Sequence, residues 1–353
     1  MHIDAYTTRH TRQDPHPWLR MVVPVSALGL ALVAMTVFAM ACSDDRAPLG
    51  PESENAARLS VAEAAGGPNA PALNGRIVFS TLTEAGNLDL FSMNPDGTDR
   101  RQLTTSLADA LSPDVSPDGR RIVFTRREPG GKEEIYIMNA DGSRLRKLTA
   151  FGPGGRAYDP AWSPDGKQIA FSGAPAVDNE SDIYVMSANG RNVRPLTDFG
   201  PTEELDDESP TWSPDGQRIA FARFEGSSRK VMVMNADGSG QQSFSECGVD
   251  QCQAPSWSPD GTRIAYERIA PFAATATLEV KAFGQPAQLV ATDLRGTFGG
   301  PAWAPDGAKL VYPGVARVDG FLRATLIALA PDGTEARPLE PAGAAGQYPA
   351  WGR

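Results

Sequence analysis

The residue types best suited to catalysis are missing from most of this chain. Its only histidines are His2, His10 and His16, and none follows residue 16. The usual general base of serine and cysteine hydrolases, and the commonest transition-metal ligand, are therefore lacking from residue 17 onward. Cys247 and Cys252 would need further ligands to hold zinc, with no histidine to supply one. Carboxylates remain. Glu203, Glu204, Asp206, Asp207 and Glu208 crowd one stretch, and Asp178, Glu180 and Asp182 another. Such oxygens hold Ca²⁺ or meet a basic partner, but their spacing fits no defined calcium loop and also reads as a solvated acidic loop. Two acids at a suitable separation would serve a carboxylate-only lyase or glycosidase. Tyr158, Asp159 and Tyr348 stand just before a recurring Pro-x-Trp string, where they either contact a ligand or pack at a loop base. Neither a metal nor a cofactor is expected.

The elements that must position these residues come from a repeat. Ser-Pro-Asp-Gly occurs at Ser116–Gly119, Ser163–Gly166, Ser213–Gly216 and Ser258–Gly261, and Ala-Pro-Asp-Gly at Ala304–Gly307. Proline presets the second turn position, Asp bonds its own backbone and glycine accepts the positive φ that closes the turn. Each turn leads into a short β-rich string: 121–124, 168–171, 218–221, 263–266 and 309–312, with a further copy at 76–79. A second strand and second tight turn follow, as at Ala140-Asp141-Gly142, although the copy near 282–285 has decayed. A third strand ends in Leu-Thr or a relative, and Pro-x-Trp begins the next copy. Five of the tryptophans, Trp162, Trp212, Trp257, Trp303 and Trp351, share that position; they read as apolar wedges between repeats rather than a ligand-stacking ladder. Four strands per copy match a propeller blade. The predicted fold is thus all-β: a six-bladed β-propeller over 74–353, closed when the C-terminal strand completes the first blade.

These turns and strings resemble the PD40 (WD40-like) repeats of the TolB propeller family. The resemblance covers about residues 74–353 and implies contacts with a peptidoglycan-associated lipoprotein. It does not extend to the additional α/β domain that this family carries before its propeller.

The N-terminus reads as an address. Arg9, Arg12 and Arg20 precede an uncharged stretch from Met21 to Ala41. Ala39-Met40-Ala41-Cys42 resembles a bacterial lipobox, with Ala39 where leucine is usual, and implies lipidation of Cys42. Residues 1–41 are then a lipoprotein signal peptide, or alternatively a membrane anchor, because the apolar run is long enough to span a bilayer. Residues 42–73 are rich in Ala, Pro, Gly and Glu and read as a flexible tether. Either reading predicts a periplasmic or cell-surface protein held to the membrane. In that oxidising setting Cys247 and Cys252, on one loop, are expected to form a disulfide.

The net charge of -10 argues against nucleic acid, which needs clustered cations to displace counterions. Function is expected on the loops of variable length, among them 150–159 and 198–209, rather than on the uniform turns. The candidate partner-binding residues are Tyr158, Asp159, Glu203, Glu204, Asp206, Asp207, Glu208 and Tyr348. The reading is a monomeric, non-enzymatic docking module for an envelope protein or peptidoglycan-associated partner. The alternative is a carboxylate- or Ca-dependent glycan-active enzyme or glycan-binding propeller.

Overall fold

Strings such as Ile122-Val-Phe and Ile169-Ala-Phe are β-branched, aromatic and bounded by turns, so they form strands buried on both faces. Ile122, Val123, Ile169, Ala170 and Phe171 are at most 1% exposed, as is Phe124. The computed structural model describes residues 72–352 apart from 176–179, 199–204, 227, 272, 274–275, 295–298, 319–320 and 340–345. The chain divides into residues 1–62 and 63–353. Cys42, the apolar stretch 21–41 and the tether up to residue 71 lie outside the described residues, as do Asp178, Glu203 and Glu204.

The described residues are all-β, without a helix. They form five sheets, four of four strands and one of eight. The eight-stranded sheet is the fourth and fifth repeats, joined by a single parallel pairing of Arg229 with Gln251. Within each repeat the strands run antiparallel. The last strand, Gly346–Trp351, pairs with the first, Ile77–Leu82, and belongs to the N-terminal sheet.

Side chains rather than loop length set the turns. Ser116 Oγ donates to Asp118 Oδ1 at 2.6 Å and accepts from Arg121 N at 2.9 Å, while Gly119 takes φ 68°. The same Ser–Asp bond recurs at Ser163–Asp165 (2.7 Å), Ser213–Asp215 (2.5 Å) and Ser258–Asp260 (2.5 Å). The Leu-Thr string has its own task. Thr104, Thr149 and Thr197 each accept a backbone N–H at 2.9 Å, from Leu90, Ile135 and Ile183. The same hydroxyls donate to Asp89, Glu134 and Asp182. Each threonine thereby satisfies buried polar groups that a two-residue outer strand cannot reach.

Packing runs between repeats. Trp162 shares a cluster with Val123, Ile135, Ile137 and Leu148 of the preceding repeat. Ile77, Phe79 and Met93 of the first repeat cluster with Val311, Leu326 and Ala328 of the last. Arg121, Arg218 and Arg263 lie over the rings of Trp162, Trp257 and Trp303 at 4.7, 4.8 and 5.0 Å. The second turn supplies a close backbone approach. A Cβ at Gly238 would meet Leu196 O at 2.5 Å, and one at Gly333 would meet Val290 O at 2.6 Å. Gly97, Gly142 and Gly190 sit likewise against Leu339, Leu103 and Leu148. Gly284, in the decayed copy, has nothing within 4 Å.

Gly238→Ala is therefore expected to cost about 2–4 kcal/mol in urea unfolding, from both φ strain and the clash. Gly284→Ala, with φ strain alone, should cost about 1 kcal/mol. Equal losses would contradict the close-approach argument.

Candidate functional site

The Pro-x-Trp strands converge on one cavity of about 430 Å³. A bulge interrupts five of these strands at the residue before proline, with register shifts at Leu111/Asp114, Tyr158/Ala161, Glu208/Thr211 and Gln253/Ser256 and between Gln347 and Ala350. At that bulge Ser112, Asp159, Ser209, Ala254 and Tyr348 all take positive φ, between 45° and 54°. The residue before proline is barred from the right-handed helical region, and here the left-handed one is used. All five residues line the cavity.

Asp159 is tied to its neighbours. Ser112 Oγ donates to Asp159 Oδ1 at 2.7 Å and Ser209 Oγ donates to Oδ2 at 2.9 Å. One carboxylate thus joins equivalent positions of three consecutive repeats. Asp159 N donates to Thr125 Oγ1 and Ser209 N to Ser172 Oγ, both at 3.0 Å, so the bulged amides are satisfied. Tyr348 stands opposite Gly299, where a Cβ would meet Tyr348 Cα at 2.5 Å. Glycine at that position makes room for the ring. Burial, then the charge of Asp159, push the Tyr348 phenol above its usual range, so it stays a neutral donor.

A second polar belt starts one residue earlier in three of the strands, at Tyr158, Glu208 and Gln253. The Tyr158 hydroxyl lies 2.7 Å from Ser181 Oγ and 2.9 Å from Glu208 Oε1. Arg229 reaches Glu208 Oε2 at 3.4 Å and donates to Gln253 Oε1. Gln253 Nε2 donates to Glu267 Oε2 at 3.2 Å. Arg229, Gln253 and Glu267 line the cavity. Burial and the Glu208 charge raise the Tyr158 phenol well above its ordinary range.

The described part of the acidic stretch, Asp206 to Glu208, does not behave as a solvent-facing loop. Asp206, Asp207 and Glu208 belong to the strand Leu205–Trp212. Asp207 is 0% exposed and accepts two bonds from Arg223, each 2.8 Å. Glu208 is also buried, within the second belt. Asp206 accepts from Ser181 N at 2.8 Å. Alternation along a strand sends neighbouring carboxylates to different partners, which the linear crowding of charge concealed. Of the predicted residues, the structure brings Asp159 and Tyr348 to the cavity and places Tyr158 behind it. Arg229, Gln253 and Glu267 were missed. Comparing the repeats with one another marks Glu267, because Thr125, Ser172 and Ala222 follow the aromatic residue in the equivalent strands. The sulfurs of Cys247 and Cys252 are bonded, with Cα atoms 6.1 Å apart. Among the described residues no three His, Cys, Asp or Glu side chains are grouped to hold a metal ion.

Asp182 carries a further titration. Burial pushes its carboxyl up to about 7 against the lowering bond from Thr197, and the charges of Asp207, Asp198 and Glu180 add to the rise. Its folded value lies above the ordinary 3.8, so ionisation opposes folding increasingly from about pH 4 to 7 and fully above that. Asp182→Asn should be neutral near pH 4 and stabilising by about 1–2 kcal/mol at pH 8, a figure reduced for partial solvation. Thermal unfolding at both pH values checks this, and an equal shift at both would refute it.

Residues 52–253 match the family described as PD40, the TolB beta propeller domain. No curated protein matches the sequence. Among solved structures, TolB from Acinetobacter baumannii is similar at TM-score 0.67 and 21% identity, covering 78% of this chain and 66% of that one. This chain thus spans just under two thirds of that TolB. Kuenenia stuttgartiensis hydrazine synthase matches at TM-score 0.63 and 16% identity, over 80% of this chain and 47% of that one. Oligogalacturonate lyase from Vibrio parahaemolyticus matches at 0.50 and 13%, over 75% and 79%. Identities this low speak for the fold alone, but the family match covers more than half of the sequence. With its four-stranded antiparallel sheets and recurring Ser-Pro-Asp-Gly turns, this chain belongs to the TolB beta propeller domain family.

Proposed function

We propose that this chain is a cell-envelope docking module, a closed six-bladed propeller over 74–353 that receives a protein partner at the mouth of its central cavity. The observation that carries the reading is the pre-proline position. Equivalent residues from successive repeats line one cavity there, and two of them bring groups suited to recognition: the phenol of Tyr348 and, held between Ser112 and Ser209, the carboxylate of Asp159. Closure is supported by the pairing of Gly346–Trp351 with Ile77–Leu82 and by the core shared between first and last repeats. The partner is an envelope protein or peptidoglycan-associated protein, as the family resemblance implies. The chain acts as a monomer, without cofactor or catalysis, and Cys247–Cys252 pins the loop beside the cavity-lining strand Gln251–Trp257.

Residues 1–41 serve as the export signal, Cys42 as the lipid-bearing residue and 42–73 as the tether. Cys42→Ser is expected to move the protein from the membrane fraction to the soluble envelope fraction. Retention in the membrane would instead assign 21–41 as an uncleaved anchor.

A second reading, a glycan-active or glycan-binding propeller, has one observation in its favour: Asp159, Glu267 and Arg229 share the cavity. One experiment separates the two. A photo-crosslinking amino acid at position 348 should capture a specific envelope protein in cells, and the same group at exposed Arg194 should not. Asp207 and Glu208 are poor test positions, because their loss strands a buried cation. Identical adducts from both positions would sink the docking reading. No adduct, together with turnover of an acidic oligosaccharide that Glu267→Gln abolishes, would replace it with the second.

A further inference from the structure

One core position breaks the rule that the other repeats obey. In these repeats Ile77, Ile122, Ile169, Ile219 and Leu310 pair across to Met93, Met138, Met186, Met234 and Leu329 on the following strand. Each is at most 2% exposed and packs between repeats. In the fifth repeat Ile264 pairs instead with Lys281, whose side chain is only 7% exposed. An ammonium stands where the architecture calls for a thioether, and a buried cation destabilises unless paired. Its one ion-pair partner among the described residues is Glu246, at 3.3 Å, and that carboxylate is 92% exposed.

The same repeat has lost its close backbone approach. The turn reads Ala282-Phe283-Gly284-Gln285 rather than Asn-x-Asp-Gly, so Gln285 stands where the other repeats place the glycine that sits on a neighbouring carbonyl. A cleft of about 380 Å³ opens between the fourth and fifth repeats. Lys281, Phe244 and Phe283 line it. The two rings meet edge to face at 4.8 Å, and Lys281 Nζ lies 5.6 Å from the Phe244 centroid. Phe283 is 37% exposed, so the apolar wall opens to solvent.

We propose that this cleft binds an organic carboxylate attached to an apolar or aromatic group. The Lys281 ammonium is the counter-ion, Phe244 and Phe283 hold the apolar body, and Glu246 is the internal carboxylate that the ligand displaces. An ammonium has three donors, and Glu246 engages one of them from a solvent-facing side chain. A ligand carboxylate set against the phenyl rings satisfies the others while covering the exposed face of Phe283. The site is separate from the central cavity and independent of any partner docked there.

Isothermal titration calorimetry on the purified full-length chain tests the proposal with N-acetyl-L-phenylalanine, its amide and phenylacetate. At least one of the two acids should bind saturably, and the amide at least about tenfold more weakly than N-acetyl-L-phenylalanine if that acid binds. Lys281→Met restores the residue found in four other repeats, so it should fold with a raised Tm and lose binding by about tenfold or more. Glu246→Gln removes the competitor and should tighten binding. N-acetyl-L-phenylalanine binding alone assigns the C-terminus of a peptide chain, phenylacetate alone a free acid, and both together the shared chemistry. Equal binding of acid and amide, unchanged binding by Lys281→Met, or no heat from either acid up to about 10 mM would overturn the proposal.

Discussion

The cavity depends on a backbone conformation that most residues avoid. In five of the strands that line it the residue before proline turns left-handed, and none of the five is glycine; ahead of Pro301 the positive φ falls one residue earlier, at Gly299. Each such residue costs of order 1–3 kcal/mol, so the bulge persists only because its surroundings hold it. Proline removes one donor that the bulge could not satisfy, and Thr125 and Ser172 accept the displaced amides of Asp159 and Ser209. The tryptophan two residues later is then locked between repeats. A straight strand would place alternate residues toward and away from the centre. The bulge instead turns one chosen side chain toward the cavity at the equivalent position of five repeats.

That constraint separates what must repeat from what is free to vary. Proline, tryptophan and the turn residues recur because packing and turn geometry require them. The residue before proline needs only to tolerate its backbone conformation, and it reads Ser112, Asp159, Ser209, Ala254, Gly300 and Tyr348 around the cavity. The fold is thus indifferent at the one position that faces inward. Asp159 uses this freedom to knit three repeats together, and Tyr348 uses it to present a neutral phenol beside that carboxylate.

The repeat architecture was legible because its causes are local. A serine, an aspartate and a glycine within four residues make a turn wherever they occur, and the bonds Ser116–Asp118 and Ser213–Asp215 are the same bond. The candidate site was legible only in part. Asp159 and Tyr348 could be found from their place before proline. Asp207 could not be recognised as a buried ion-pair partner, because Arg223 comes from the next strand and nothing in the acidic run marks which carboxylate faces it. Glu208 likewise meets Tyr158 from the preceding repeat and Arg229 from a later strand. These contacts depend on how strands stack, whereas composition shows only that charge is present. Lys281 was readable in principle, since aligning the repeats puts it opposite a column of methionines.

The pairing of the last strand with the first has a mechanical side. Residues entering at Ala72 lead directly into Ile77–Leu82, which is flanked by Leu88–Met93 on one edge and Gly346–Trp351 on the other. Before that strand begins, Leu73 N is bonded to Gly119 O, and Gly75 N to Gly352 O. A pull applied from the N-terminal side therefore loads two ladders in shear at once, instead of unzipping an edge strand one bond at a time. Because Gly346–Trp351 also carries Tyr348 to the cavity, tension entering at this end is felt at the cavity wall itself.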